Sequence, residues 1–178
     1  MLKLANLLER ACTWAARFCG LLLFLLTAVV LYDVVGRQFF NTGSVALGEL
    51  QWHIHGAIAM LCFGYAYTRD AHVRIDIVSQ TFSKPFRLKL EIAGIAIFLT
   101  PFLLLVMWYG YDFALRAFVR GESAPGGLGL DHRWIIKSVI PVSALIALMG
   151  AWSVVLRIFV VLRGELDDPY LDEGLWNS

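Results

Sequence analysis

Three runs in this chain carry no Asp, Glu, Lys or Arg for the length of a bilayer: residues 50–68, 92–111 and 139–156. The first alone spans about 28 Å as a helix at 1.5 Å per residue, close to the thickness of a hydrocarbon core. A fourth apolar run, about residues 18–36, precedes them. Of 178 residues, 59% are hydrophobic and 16% charged, against about 25% charged in soluble domains. Because the excess is gathered into long runs, it implies an all-α integral membrane protein with spans at about 18–36, 50–68, 90–111 and 134–162.

Net charge is +1 with no basic block, which argues against nucleic acid as a partner. Cys12, Cys19 and Cys62 form no CxxC pair, so membrane-buried free thiols are expected rather than disulfides or a thiolate metal site. No HExxH, GxSxG or P-loop pattern occurs, and no catalytic set emerges.

Residues 1–17 set Lys3, Asn6, Arg10 and Arg17 at helical spacing, which predicts an amphipathic helix at the interface. Asp33 and Arg37, four apart at the end of the first span, can pair on one helix face. Residues 41–44 make a turn, and Glu49 opens the second span, where Glu49, His53, Gly56, Met60 and Gly64 share a face that small residues open to another helix. Residues 69–76 (RDAHVRID) form a charged elbow that must leave the hydrocarbon. After it, Ile75, Val78 and Phe82 fit a short interfacial helix, and Pro85 suits the first turn of the next one. Pro101 predicts a bend near residues 97–101, and Trp108, Tyr109 and Tyr111 an interfacial aromatic belt. Asp112 and Arg116 repeat the four-residue pairing. Residues 121–129 (GESAPGGLG) are a loop in which Gly126 and Gly127 permit either an adaptable surface or a plain connection. Trp134 anchors the last span, Ser143, Ala147 and Ala151 give it a small-residue ridge, and Arg157 snorkels toward the interface. Residues 163–178 form an acidic tail.

Four spans place both termini on one side. That side, with the elbow, holds ten of the fifteen Lys and Arg residues, so cytoplasmic termini and a cytoplasmic elbow are expected. A four-helix redox protein of the b-type cytochrome kind needs axial histidines at matching depth on facing helices. His72 and His132 lie in loops on opposite sides, and His53 and His55 point about 200° apart on one helix. Glu49 and His53 share a face but lack a third ligand, so no metal site is expected. A free-standing small channel is a further alternative. A self-contained transporter would show internal repeats and interrupted helices meeting at a midplane site, and this chain does not.

Taken together, the motifs resemble the small membrane subunit of tripartite ATP-independent periplasmic (TRAP) transporters, the DctQ-like component, over about residues 18–162. Residues 33–40 (DVVGRQFF) are similar to that family's "RY.F" segment, and Glu49 to the acids of its "W.EE" stretch. Residues 70–76 (DAHVRID) look like its "G.HIRVD" elbow, and Ser123-Ala124-Pro125, Trp134 and Pro141 match in kind and order. Ala71 stands where a glycine is common, and Gly48 leaves one acid where the family often has two.

The resemblance implies a non-catalytic permease subunit of the bacterial inner membrane, paired with a large multi-span subunit that carries sodium and an organic acid. No cofactor is implied in this chain itself. A periplasmic binding protein would deliver the substrate, and membrane lipids would complete the surroundings. Within it, Asp33, Arg37 and Glu49 would pin the first two spans together or contact the large subunit. His72, Arg74 and Asp76 would order the elbow or bind headgroups and the partner.

Overall fold

The structure, a computed structural model, describes residues 1–69, 71 and 82–164. Among the described residues six α-helices make up four rods: α1 (Leu2–Phe40), α2 (Val45–Leu61) with α3 (Phe63–Thr68), α4 (Lys84–Gly94) with α5 (Thr100–Val119), and α6 (Trp134–Leu162). Three stretches of these residues are long and apolar enough to cross a membrane: Leu2–Phe40, Pro85–Val119 and Trp134–Leu162. The expected second span is divided at Cys62 into helices of 17 and 6 residues, neither of that length alone.

Residues 1–17 are the first part of α1, with no break at the expected junction. The reason is a seam that runs through it. Ala5, Cys12, Cys19 and Asp33 are buried, and all fall on one seven-residue repeat that passes through half-buried Leu26. A seven-residue spacing keeps a helix side facing its neighbour, and small side chains along it let backbones approach. The Cys12 thiol donates to the Ile146 carbonyl of α6 at 3.5 Å, which ties the N-terminal third of α1 to the bundle.

At its far end α1 runs on past residue 36 to Phe40 and gives way to the turn at residues 41–44. Asn41 adopts a left-handed conformation (φ 51°), and the Thr42 N–H donates back to the Gly36 carbonyl at 3.1 Å. Ser44 then caps α2, accepting from the Leu47 N–H.

Pro101 acts as expected, with a specific form. A proline has no N–H for the carbonyl four residues earlier, and its ring crowds that carbonyl. Residues Ile95–Leu99 widen into a π-helical turn, and the Thr100 N–H reaches back five residues to the Ile95 carbonyl. Pro85 occupies the first turn of α4.

α6 is the central rod and packs against every other helix. Of its most apolar window 39% is buried, compared with 11% in each of the other two long stretches. Gly64 and Gly150 bring α3 and α6 into backbone contact: a Cβ on Gly64 would sit 2.4 Å from the Ile146 carbonyl oxygen, and one on Gly150 2.5 Å from that of Gly64. Gly110 lets α5 close on the Ile140 side chain and the Pro141 ring of α6. Ile95, Ala151 and Val155 form one buried cluster, and Leu88, Val154 and Ile158 another, with Tyr67 and Ile92 against both. Pairing Ile95 with Ala151 and Gly110 with Pro141 sets α5 antiparallel to α6, whereas α2–α3 run parallel to it.

Candidate functional site

Polar side chains gather at the two ends of this apolar bundle. At the end where α1 meets α2, the Arg37 guanidinium grips Asp33 with two contacts, Nε to Oδ1 at 3.0 Å and an NH2 group to Oδ2 at 2.8 Å. This is the expected four-residue pair. Asp33 is 5% exposed although it belongs to an apolar helix, which is sustainable only because each oxygen has a donor. The second donor to Oδ2 is the Gln51 side-chain amide at 3.0 Å, from α2. Sequence reading missed Gln51, which stands two residues after Glu49 at the start of the second span.

Glu49 does not join this ion pair. Its Oε2 accepts from the Leu130 N–H at 2.8 Å, and a Cβ on Gly129 would come within 2.4 Å of that oxygen. The carboxylate therefore clamps the connection before α6 onto α2, and Gly129 is required by the close approach. His53 is half-buried one turn further along α2.

The connection itself is built by its own backbone. The Ala124 N–H donates to the Leu130 carbonyl at 3.2 Å, and the Arg133 N–H to that of Glu122 at 3.1 Å. Gly126 and Gly127 take φ of 81° and 69°, with open space where a Cβ would stand, so they answer a conformational need and not a steric one. His132 is in this loop, as expected, with φ 61°. Glu122 accepts from Lys137 Nζ at 2.5 Å, and the same ammonium lies 3.9 Å over the Phe113 ring. Lys137, helped by Arg133 and Arg120, holds the Glu122 carboxyl below the usual carboxylate range. Trp134 begins α6 and meets Phe118 edge to face, 5.4 Å between centroids. Asp112 and Arg116 pair at 2.5 Å on the surface.

At the other end Glu9 is the hub. It accepts from Arg157 of α6 and lies 3.4 Å from Arg69 at the end of α3, and Arg157 also donates to Asn6 at 3.0 Å. Arg157, expected to snorkel toward the interface, is held against α1. Nearby the Tyr67 hydroxyl donates to Glu91 of α4 at 2.5 Å. The lone acid at Glu9 among Lys3, Arg10 and Arg17 was the available signal.

His72, Arg74, Asp76 and the interfacial helix through Ile75 and Val78 lie outside the described residues, as does the tail from residue 165. Among the described residues no three His, Cys, Asp or Glu side chains converge as metal ligands.

No curated protein matches the chain in a sequence search. The family model for tripartite ATP-independent periplasmic transporters, DctQ component, matches residues 26–163. That interval takes in the Asp33–Arg37–Gln51 link, the Glu49 clamp, the loop and all of α6, and covers more than three quarters of the sequence. The chain therefore belongs to the DctQ family and is a membrane component of a TRAP transporter.

Proposed function

We propose that this chain is the small permease subunit that scaffolds the large membrane subunit of a sodium-coupled, binding-protein-dependent importer of organic acids. The observation that carries this reading is a division of labour within the bundle. α6 is spent on internal packing, whereas α1, the π turn and α5 leave large apolar side chains outward, among them Phe24, Leu31, Phe98 and Trp108. Polar links at both ends hold those faces in fixed relation without using them.

In this reading α2 and α3 together make a fourth crossing, and the chain sits in the inner membrane with termini and elbow cytoplasmic. The N-terminal part of α1, continuous with the first span, carries Lys3 and Arg10 toward the cytoplasmic headgroups. The Asp33–Arg37–Gln51 link, the Glu49 clamp and the loop through Gly126 and Gly127 then face the periplasm. The large subunit provides the sodium and substrate sites, and a soluble binding protein delivers the carboxylate.

Tagged chain, co-expressed with its genomic neighbours and extracted in mild detergent, should bring down a large multi-span membrane protein. Phe24→Lys and Phe98→Lys, which leave the internal packing untouched, should weaken that capture. Recovery of the chain alone, in detergent and again in native lipid, would overturn the scaffold role. Sodium-dependent uptake by this chain in vesicles without a partner would do the same.

A further inference from the structure

A cleft of about 340 Å³ opens on the side of the bundle. Its walls are Phe63 and Tyr67 on one side and Leu99 and Val106 on the other, with Ser143 and Ala147 among the side chains of its floor. It exists because α2–α3 and α5 both pack on α6, where Gly64–Gly150 and Gly110–Pro141 fix their approach. The small floor residues leave the space between them unfilled.

We propose that this cleft holds one acyl chain of an anionic phospholipid, with its headgroup at the Tyr67 end. Size selects the occupant. From Met60 to Tyr67 the wall is about 10 Å long by helical rise. A helix 10–12 Å across needs roughly 800–1,100 Å³ over that length, so a partner helix could rest a ridge of side chains on the mouth of the cleft but not enter it. A methylene takes about the volume of a water, about 30 Å³, so the cleft has room for roughly ten. The lining matches a hydrocarbon, because the Ser143 hydroxyl is turned to the Ile140 carbonyl of its own helix at 2.8 Å.

Charge selects the headgroup. Beyond Tyr67, this end of the bundle carries Arg69, Arg87, Lys89, Arg157 and Arg163 against Glu9 and Glu91 among the described residues. Basic groups between membrane helices favour anionic headgroups, each contributing on the order of 1 kcal/mol.

The test is native mass spectrometry of the full chain in mild detergent, titrated with phosphatidylglycerol or phosphatidylcholine. One phosphatidylglycerol should be retained per chain in preference to phosphatidylcholine. Ala147→Leu, which fills the floor, should abolish that adduct, and Leu105→Phe on the exposed face of α5 should leave it. Lys89→Gln should lower retention about fivefold. An undiminished adduct in Ala147→Leu, or equal retention of the two lipids, overturns the proposal. Should Ala147→Leu fail to fold, phosphatidylglycerol with a diazirine in its acyl chain decides the matter on the wild type. Labelling confined to α3, α5 and α6 around the cleft supports the site, and labelling spread evenly over α1 and the outer face of α5 overturns it. None of these readouts depends on the transporter partner, so they fail or succeed independently of the scaffold role.

Discussion

The Gln51 amide donates to Asp33 Oδ2 across 3.0 Å, and this joins α1 to α2 through a carboxylate that is 5% exposed. Arg37 comes from the same helix as Asp33, so Gln51 is the member that makes the link between rods. Asp33→Ala should therefore destabilise more than Gln51→Leu, because it frees both donors at once, whereas Gln51→Leu leaves the arginine pair. Thermal unfolding in detergent, with midpoints in the order wild type, Gln51→Leu, Asp33→Ala, checks this. Equal midpoints for wild type and Gln51→Leu would show that the link bears no load.

Glu9 supplies an acceptor shared by Arg69 and Arg157, both partly buried. Glu9→Ala should cost about 1.5–3 kcal/mol, the range for hydrogen bonds to charged groups. Glu9→Gln should recover part of that through its amide oxygen. The check is the loss of unfolding free energy in a denaturant titration. It should be accompanied by faster proteolysis near residue 69 if the link restrains the end of α3.

The backbone contact of α3 with α6 makes a sharp contrast available among glycines. Gly64→Ala and Gly150→Ala place a methyl within 2.4–2.5 Å of a carbonyl oxygen, so the helices must separate, at about 1–3 kcal/mol or more. Gly56→Ala meets nothing within 4 Å and should be neutral or gain roughly 0.5–1 kcal/mol. Midpoints for Gly64→Ala and Gly150→Ala should fall below wild type, and that for Gly56→Ala at or above it.

Glu122 gives a dependence on acidity. Its carboxyl lies below the ordinary value of 4.5 in the folded chain, so its charged form is favoured by folding. The contribution is complete above pH 4.5 and fades as the pH falls through the folded value. Glu122→Gln should thus melt below wild type at neutral pH, and the gap should narrow steadily under acid. A gap that is constant from pH 7 downward would place the effect elsewhere than in the Lys137 pair.

Much of this fold was legible because its signals are local. Uncharged length fixed the apolar rods, Pro85 and Trp134 marked helix starts, Pro101 marked the π turn, and four-residue spacing gave Asp33–Arg37 and Asp112–Arg116. The links made across the fold were not. Glu49 faces Leu130 from 81 positions away, and Arg157 reaches Asn6 over 151. No periodicity encodes such a partner. Nor did composition separate the buried α6 from the exposed α1, since both are equally apolar and only packing distinguishes them.

The helix on which the other described helices rest is made after all of them. α1 finds its partners for Cys12 and Glu9 at Ile146 and Arg157, 134 and 148 positions later in the chain. Until α6 has left the ribosome, the earlier helices reside in the membrane without the surface that orders them. At about 5–20 residues per second this lasts for several seconds. The bundle is thus consolidated by α6, and a chain ended before Trp134 would lack the surface that orders its earlier helices. Assembly of any complex built on this chain has to wait for that helix.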